Sequence, residues 1–222
     1  MKSSILKTML LVLVLIISAC SPPTSLDLTE AAGKGELEKV KELIASGIDV
    51  KANNTSSSPA IIAACINGHT ETVKTLIAAG ANVNANSKAG LPSTPLGAAI
   101  VGSFEDIVNI LIEAGANVNH QDNGGISELM KASLVGNKEI VAALIKAKAD
   151  VNAKTKPGTS MIITKRFNGG TALIAAVAGE HIDIIKMLIE AGADKTATDN
   201  DGKTALELAK RLNNEELNKI LN

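Results

Sequence analysis

Aromatic side chains are almost missing from this 222-residue chain, which has no Trp, no Tyr and two Phe, Phe104 and Phe167. A core must therefore be assembled from Ala, Leu, Ile and Val, as thin helical layers are, and large sandwiches and barrels are disfavoured. A formal charge of −1 with no basic face, together with the shortage of rings, argues against a nucleic-acid partner. Strand binding needs cations for phosphates and aromatic surfaces for bases. Two cysteines, Cys20 and Cys65, are too few for a disulfide framework. No Gly-rich phosphate loop, nucleophile elbow or acid–base pair stands in a recognisable context, so neither catalysis nor a cofactor is expected. His120 sits in a turn with Gln121 and Asp122 and lacks the further convergent ligands that a metal requires. A hydrophobic content of 45% is ample for a packed core in one domain or two small ones.

Long hydrophobic runs are also scarce, with one informative exception. Residues 1–19 begin with Lys2 and Lys7, continue through an unbroken apolar stretch from Met9 to Ile17, and close on Ser18 and Ala19 before Cys20. Crossing the hydrocarbon core takes about 20 apolar residues, so this segment reads as a removable export signal. Ile17-Ser18-Ala19-Cys20 resembles the bacterial lipobox, and that resemblance implies a diacylglyceryl group on Cys20, cleavage before it and a palmitate-type acyl anchor in the membrane. The alternative is an ordinary secretory signal that ends by chance on a cysteine. Loss of Lys2 and Lys7 takes the mature chain to a charge of −3. Residues 20–25 form a lipidated tether whose prolines favour an extended path. Because Ser21, not Asp, follows Cys20, the resemblance implies the outer membrane, facing the periplasm, in a Gram-negative cell.

The rest of the chain is periodic. Segments beginning at Leu26, Pro59, Thr94, Ser127, Thr171 and Thr204 are spaced by 33, 35, 33, 44 and 33 residues. Each carries one fixed alanine (Ala31, Ala64, Ala99, Ala132, Ala176, Ala209) and one fixed leucine (Leu43, Leu76, Leu111, Leu144, Leu188, Leu221). Leu28, Ile61, Leu96, Leu129, Leu173 and Leu206 open the units. Val40, Val73, Val108, Val141 and Ile185 precede the leucine by three residues, and Asn218 takes that place in the last unit. Two short helices cannot cover their own apolar faces. The small alanine admits a neighbouring unit, and the leucine and β-branched residue fill the layer between them. Gly47, Gly80, Gly115 and Gly192 are predicted to end the second helix at positive φ, and Lys148 brings mild strain to the same place.

The Ala-Asn-Val-Asn segments that follow, with Thr94-Pro95-Leu96, Gly68-His69 and residues 114–119, resemble the ankyrin repeat over residues 26–222. The resemblance implies an all-α solenoid of about six helix-turn-helix repeats with β-hairpin loops, near 26–58, 59–93, 94–126, 127–170, 171–203 and 204–222. The histidine usual after Thr-Pro-Leu is replaced by Thr29, Ile62, Gly97, Met130, Ile174 and Glu207, which leaves its inter-loop hydrogen bonds without a donor. His69 and His181 occupy a place the family commonly gives to histidine, and so read as structural. Charged first and last units, the latter with Lys210, Arg211, Glu215 and Glu216, read as caps on the outer faces of the stack.

Ankyrin-type proteins bind through hairpin tips and inner helices, so a protein partner is expected for a monomeric, lipid-anchored chain. The tips fall at 86–90, 120–124, 154–168 and 198–201. At the tips, His120 and Asp122 are candidates. The fourth hairpin is 11 residues longer than the 33-residue period, and Met161, Ile163, Lys165, Arg166 and Phe167 in it form a strand-like alternation suited to partner contact. Alternatively the insertion packs on the preceding hairpin. On the inner helices Ile66, Val101, Leu134, Val135 and Ala178 are candidates for an exposed apolar stripe, unless the long hairpin folds over it. Cys65, between Ala64 and Ile66, reads as a small buried side chain, with intermolecular disulfide formation as the alternative. Functionally, the sequence points to a protein-binding module of the envelope. An inhibitor or immunity-type protein that neutralises a toxin or hydrolase, and a general scaffold or stress-protection accessory, are the competing assignments.

Overall fold

In the computed structural model, residues 23–51, 58–87, 94–158 and 167–222 are described. They contain twelve helices in six pairs. The inner helices are α1 (Ser25–Lys34), α3 (Ala60–Ile66), α5 (Pro95–Val101), α7 (Glu128–Val135), α9 (Ala172–Ala178) and α11 (Ala205–Arg211). Their outer partners are α2 (Leu37–Ala45), α4 (Thr70–Ala78), α6 (Glu105–Glu113), α8 (Lys138–Lys146), α10 (Ile182–Glu190) and α12 (Glu215–Leu221). Each inner helix packs on its own outer helix and on the inner helices of adjoining pairs, which is the connectivity of a solenoid.

Helices of two or three turns are marginal alone, so their ends and their packing decide whether they form. Thr24, Thr94, Ser127 and Thr204 cap α1, α5, α7 and α11 by accepting a backbone N–H from the third helical residue. The fixed alanines and leucines are all buried, none more than 3% exposed, and all belong to one continuous core. Val40, Val73, Val108, Val141 and Ile185 are fully buried beside them. The last unit is looser: Leu206 is half-buried, and the side-chain oxygen of Asn218 is buried without a hydrogen-bond partner.

Between inner and outer helices the chain turns sharply, and the first residue of each turn into the outer helix fills the space. His69 and His181 place Nε2 at 3.0 Å from the Gly33 carbonyl and 3.1 Å from the Leu134 carbonyl, each reaching back to the preceding unit. Phe104 fills the same place in the third unit. Its ring lies so close to Gly68, at φ +73°, that a Cβ there would stand 2.5 Å from it. One of the two aromatic rings is thus a packing element made possible by a glycine.

After each outer helix the backbone passes through positive φ, at Gly47, Gly80, Gly115 and Gly192 as the sequence predicts, and at Lys148 with φ 67°. A left-handed conformation costs an L-residue roughly 1–2 kcal/mol, partly offset by the entropy that glycine loses on folding. Lys148→Gly should therefore stabilise the protein by about 0.5–1 kcal/mol, read as a higher urea midpoint at unchanged slope.

The hairpins are joined by an amide ladder. Asn84 Oδ1 accepts the Asn117 N–H at 2.7 Å while its Nδ2 donates to the Gly115 carbonyl. Asn119 bonds Asp150 N and the Lys148 carbonyl in the same way, and Asn152 bonds Asp194 N and the Gly192 carbonyl. The loops are tight turns more than extended ribbons: among the described residues the β pairing is the single bridges Gln121–Ser127 and Thr198–Thr204. Where the family histidine is replaced, Thr29 still makes a contact between loops, donating from Oγ1 to the carbonyls of Ser25 and Ser58.

Candidate functional site: inner helices and hairpin tips

The inner-helix candidates separate into two groups although Ile66, Val101, Leu134 and Ala178 share one slot of the repeat, with Val135 next to it. Ile66 and Val101, at the ends of α3 and α5, are 42% and 44% exposed, and with Leu26 they are the exposed large apolar residues of the described chain. Val135 is half-buried. Leu134 and Ala178, by contrast, are buried, at 5% and 2%. The exposed apolar stripe expected across four inner helices is therefore confined to the second and third units. Periodicity fixes a residue's slot, but the surroundings of α7 and α9 fix its exposure.

Phe167 also departs from expectation. It is 2% exposed and among the largest fully buried side chains, so it belongs to the core and is not a partner contact. Met161, Ile163, Lys165 and Arg166, with the strand expected there, lie outside the described residues, as does Cys20. Asp122 serves its own hairpin: one carboxylate oxygen accepts the N–H groups of Gly124 at 2.9 Å and Ile126 at 3.0 Å. Cys65 is buried, and burial pushes its thiol up to about 12, which removes the thiolate needed for exchange. Among the described residues no group of His, Cys, Asp and Glu could hold a metal ion.

The structure also assembles a constellation that periodicity did not single out. At the start of α7 the Glu128 side chain is fully buried, and Lys131, one helical turn on, is 4% exposed. Lys131 Nζ donates to Glu128 Oε2 at 3.1 Å. Glu128 Oε1 accepts from the Thr94 hydroxyl at 2.8 Å, and the same hydroxyl caps α5 by accepting the Gly97 N–H. Gly97 leaves room for this approach: a Cβ there would lie 3.0 Å from both Glu128 Oε2 and Thr94 Oγ1, so one of them would have to give by a few tenths of an ångström. His120, in the third hairpin, sets Nδ1 3.4 Å from Glu128 Oε1. That nitrogen is buried and falls short of a hydrogen bond. Desolvation pushes the Glu128 carboxyl up, but His120, Lys131 and Thr94 together outweigh it and hold the group below the usual carboxylate range.

A cavity of about 310 Å³ opens on the other side of Thr94 and His120, between the second and third hairpins, and Val83, Asn84, Leu96 and Asn117 complete its lining. One signal for the buried pair was present in the sequence. Glu128 occupies the slot of Ala60, Pro95 and Ala172, and Lys131 that of Ala63, Ala98 and Ala175. Two polar residues in slots held by small apolar ones mark the fourth unit as different from the second, third and fifth.

A family model described as Ankyrin repeats (3 copies) matches residues 28–122, 79–155 and 129–222, which together span nearly all of the paired helices. The chain belongs to the ankyrin-repeat family. A search of the curated proteins returns no match. Ankyrin-repeat proteins are usually non-enzymatic binding scaffolds, and the repeats suggest a protein–protein interaction module. Ile66 and Val101 lie exposed at the ends of neighbouring inner helices of this scaffold.

Proposed function

We propose that this ankyrin-repeat chain is a lipid-tethered protein-binding module of the bacterial envelope, held at the membrane through Cys20 and engaging one protein partner with the inner helices and hairpin tips of its second and third units. One observation supports the binding surface: Ile66 and Val101, on adjacent inner helices, are more than two-fifths exposed and, with Leu26, are the exposed large apolar side chains among the described residues. Adjacent exposed apolar residues on a rigid framework are where a partner gains most from excluding water. The envelope location rests on the signal anatomy of residues 1–19 and the lipobox-like Ile17-Ser18-Ala19-Cys20.

Cross-linking in intact cells followed by capture of this protein from envelopes should enrich one dominant partner. Val101→Asp and Ile66→Asp should each cut its recovery by roughly tenfold, the loss expected when about 1.4 kcal/mol of apolar contact is removed. The circular dichroism and unfolding midpoint of these variants should stay near those of the parent, since both positions face solvent. Unchanged recovery with both variants would reject the surface. Cys20→Ala should release the protein from membranes, and a mature N-terminus without acyl mass would reject the anchor.

A further inference from the structure

We propose that Glu128 acts as an address within the stack: it fits against the third unit and against no other, and so fixes which neighbour the fourth unit packs on. The order it enforces holds whether or not a partner binds.

A chain built from near-identical layers can stack in the wrong order. Each inner helix presents the same fixed alanine, and in all six units that residue is no more than 3% exposed. One such surface can be exchanged for another at little loss, and misassembly between look-alike units is a characteristic failure of repeat proteins. Apolar layers give cohesion without telling neighbours apart. A buried polar group does tell them apart, because it is tolerated only where its hydrogen-bond partners and its space are both provided.

The third unit alone provides both for Glu128. Oε1 accepts from the Thr94 hydroxyl at 2.8 Å. The two carboxylate oxygens stand 3.0 and 3.3 Å from where a Cβ on Gly97 would be. In the slot of Gly97 the second unit carries Ile62 and the fifth Ile174, each no more than 1% exposed. In the slot of Thr94 the second unit carries Pro59 and the first Leu26, neither of which has a hydroxyl. The fifth offers Thr171, whose hydroxyl is buried without a hydrogen-bond partner, but Ile174 occupies the place that Gly97 leaves open. In the sixth unit the Thr204 hydroxyl already donates to Glu207 Oε2 at 3.2 Å, and a second carboxylate would be repelled there. Lys131 lies on the same helix as Glu128 and donates to its Oε2, so it travels with the carboxylate in every register and selects none. Selection therefore falls to Thr94 and Gly97.

Two measurements on the mature protein test this. The first is a mutant cycle between the open slot and its occupant, read by urea unfolding. Gly97→Ile gives the third unit the side chain of the second and fifth, and in the parent it should lower the folding equilibrium constant roughly a hundredfold by overpacking against the carboxylate. With Glu128→Ala and Lys131→Ala already in place the same change should cost at least about tenfold less, because the group that competes for the space is gone. Equal costs in the two backgrounds would overturn the fit.

The second measurement reads the order itself. Protein unfolded for about 1 s, too briefly for proline isomerisation, is returned to native conditions and its recovery followed. The parent should come back almost wholly in one fast phase. The variant with both alanines regains much of the parent's stability but has lost its address. A several-fold larger share of it should pass through a slow phase, independent of protein concentration, in which misplaced units must come apart again. A slow share no larger than the parent's would overturn the proposal, since a pair that served stability alone would leave the order of stacking untouched. Should the alanine variant fold poorly, Glu128→Gln with Lys131→Met keeps the volumes without the charges, and the same refolding comparison decides.

Discussion

Glu128→Ala should lose about 3–5 kcal/mol of unfolding free energy, because it strands the Lys131 ammonium in a site that is 4% exposed and takes the acceptor from the Thr94 hydroxyl. The expected rescue makes the prediction specific. Glu128→Ala with Lys131→Ala gives the fourth unit the Ala slots that the second and fifth units carry at residues 60 and 63 and at 172 and 175. Much of the lost stability should return, since a desolvated pair often does little better than well-packed apolar groups in its place. A double-mutant cycle by urea unfolding measures the coupling directly, and additive losses would show that the two side chains do not interact as described. The pH dependence has a fixed direction. The folded Glu128 carboxyl lies below its ordinary value, so its contribution is complete at neutral pH and disappears as pH falls through the folded value. The parent should thus lose stability more steeply than Glu128→Ala on acidification below about pH 4.5.

Phe167→Ala is the second large effect, with an expected cost of about 3–5 kcal/mol for removing a fully buried aromatic ring. Sequence reasoning placed Phe167 on a binding loop, and on that view its truncation would weaken partner capture at constant stability. With 2% of its surface exposed, the opposite pairing is expected: a lower unfolding midpoint and, per folded molecule, unchanged capture. Phe167→Leu should recover part of the loss by refilling the volume. A normal midpoint with lost capture would return the residue to the surface.

The repeat itself was legible because its period is physical. Every fixed alanine and leucine is buried where the spacing puts it, and the glycines after the outer helices take the left-handed conformation that their recurrence implies. The candidate site was less legible. Leu134 and Val101 hold the same slot, yet one is 5% and the other 44% exposed, a difference made by what lies over each helix and invisible to a pattern read along one strand of sequence. Glu128 and Lys131, three residues apart on a helix, look like an ordinary solvated pair. Only packing shows that they are the buried anchor of the fourth unit. Phe167 misled for a related reason: beside Lys165 and Arg166 it reads as surface, whereas a chain so poor in aromatic rings spends both of them on packing.

The asparagine rungs between hairpins also have a mechanical consequence. Lys51 and Thr196 stand where Asn84, Asn119 and Asn152 stand in the middle units, so the asparagine cross-links tie the second hairpin to the fifth, while the first meets the second through the Ser58 and Ser87 hydroxyls, 2.9 Å apart. A load applied to any one of those four loops is shared along the row, much as planks nailed to a common batten resist prying. Among the described residues the two terminal units lack the paired amide rung, and under tension or heat they should peel away first while the middle of the molecule keeps its shape.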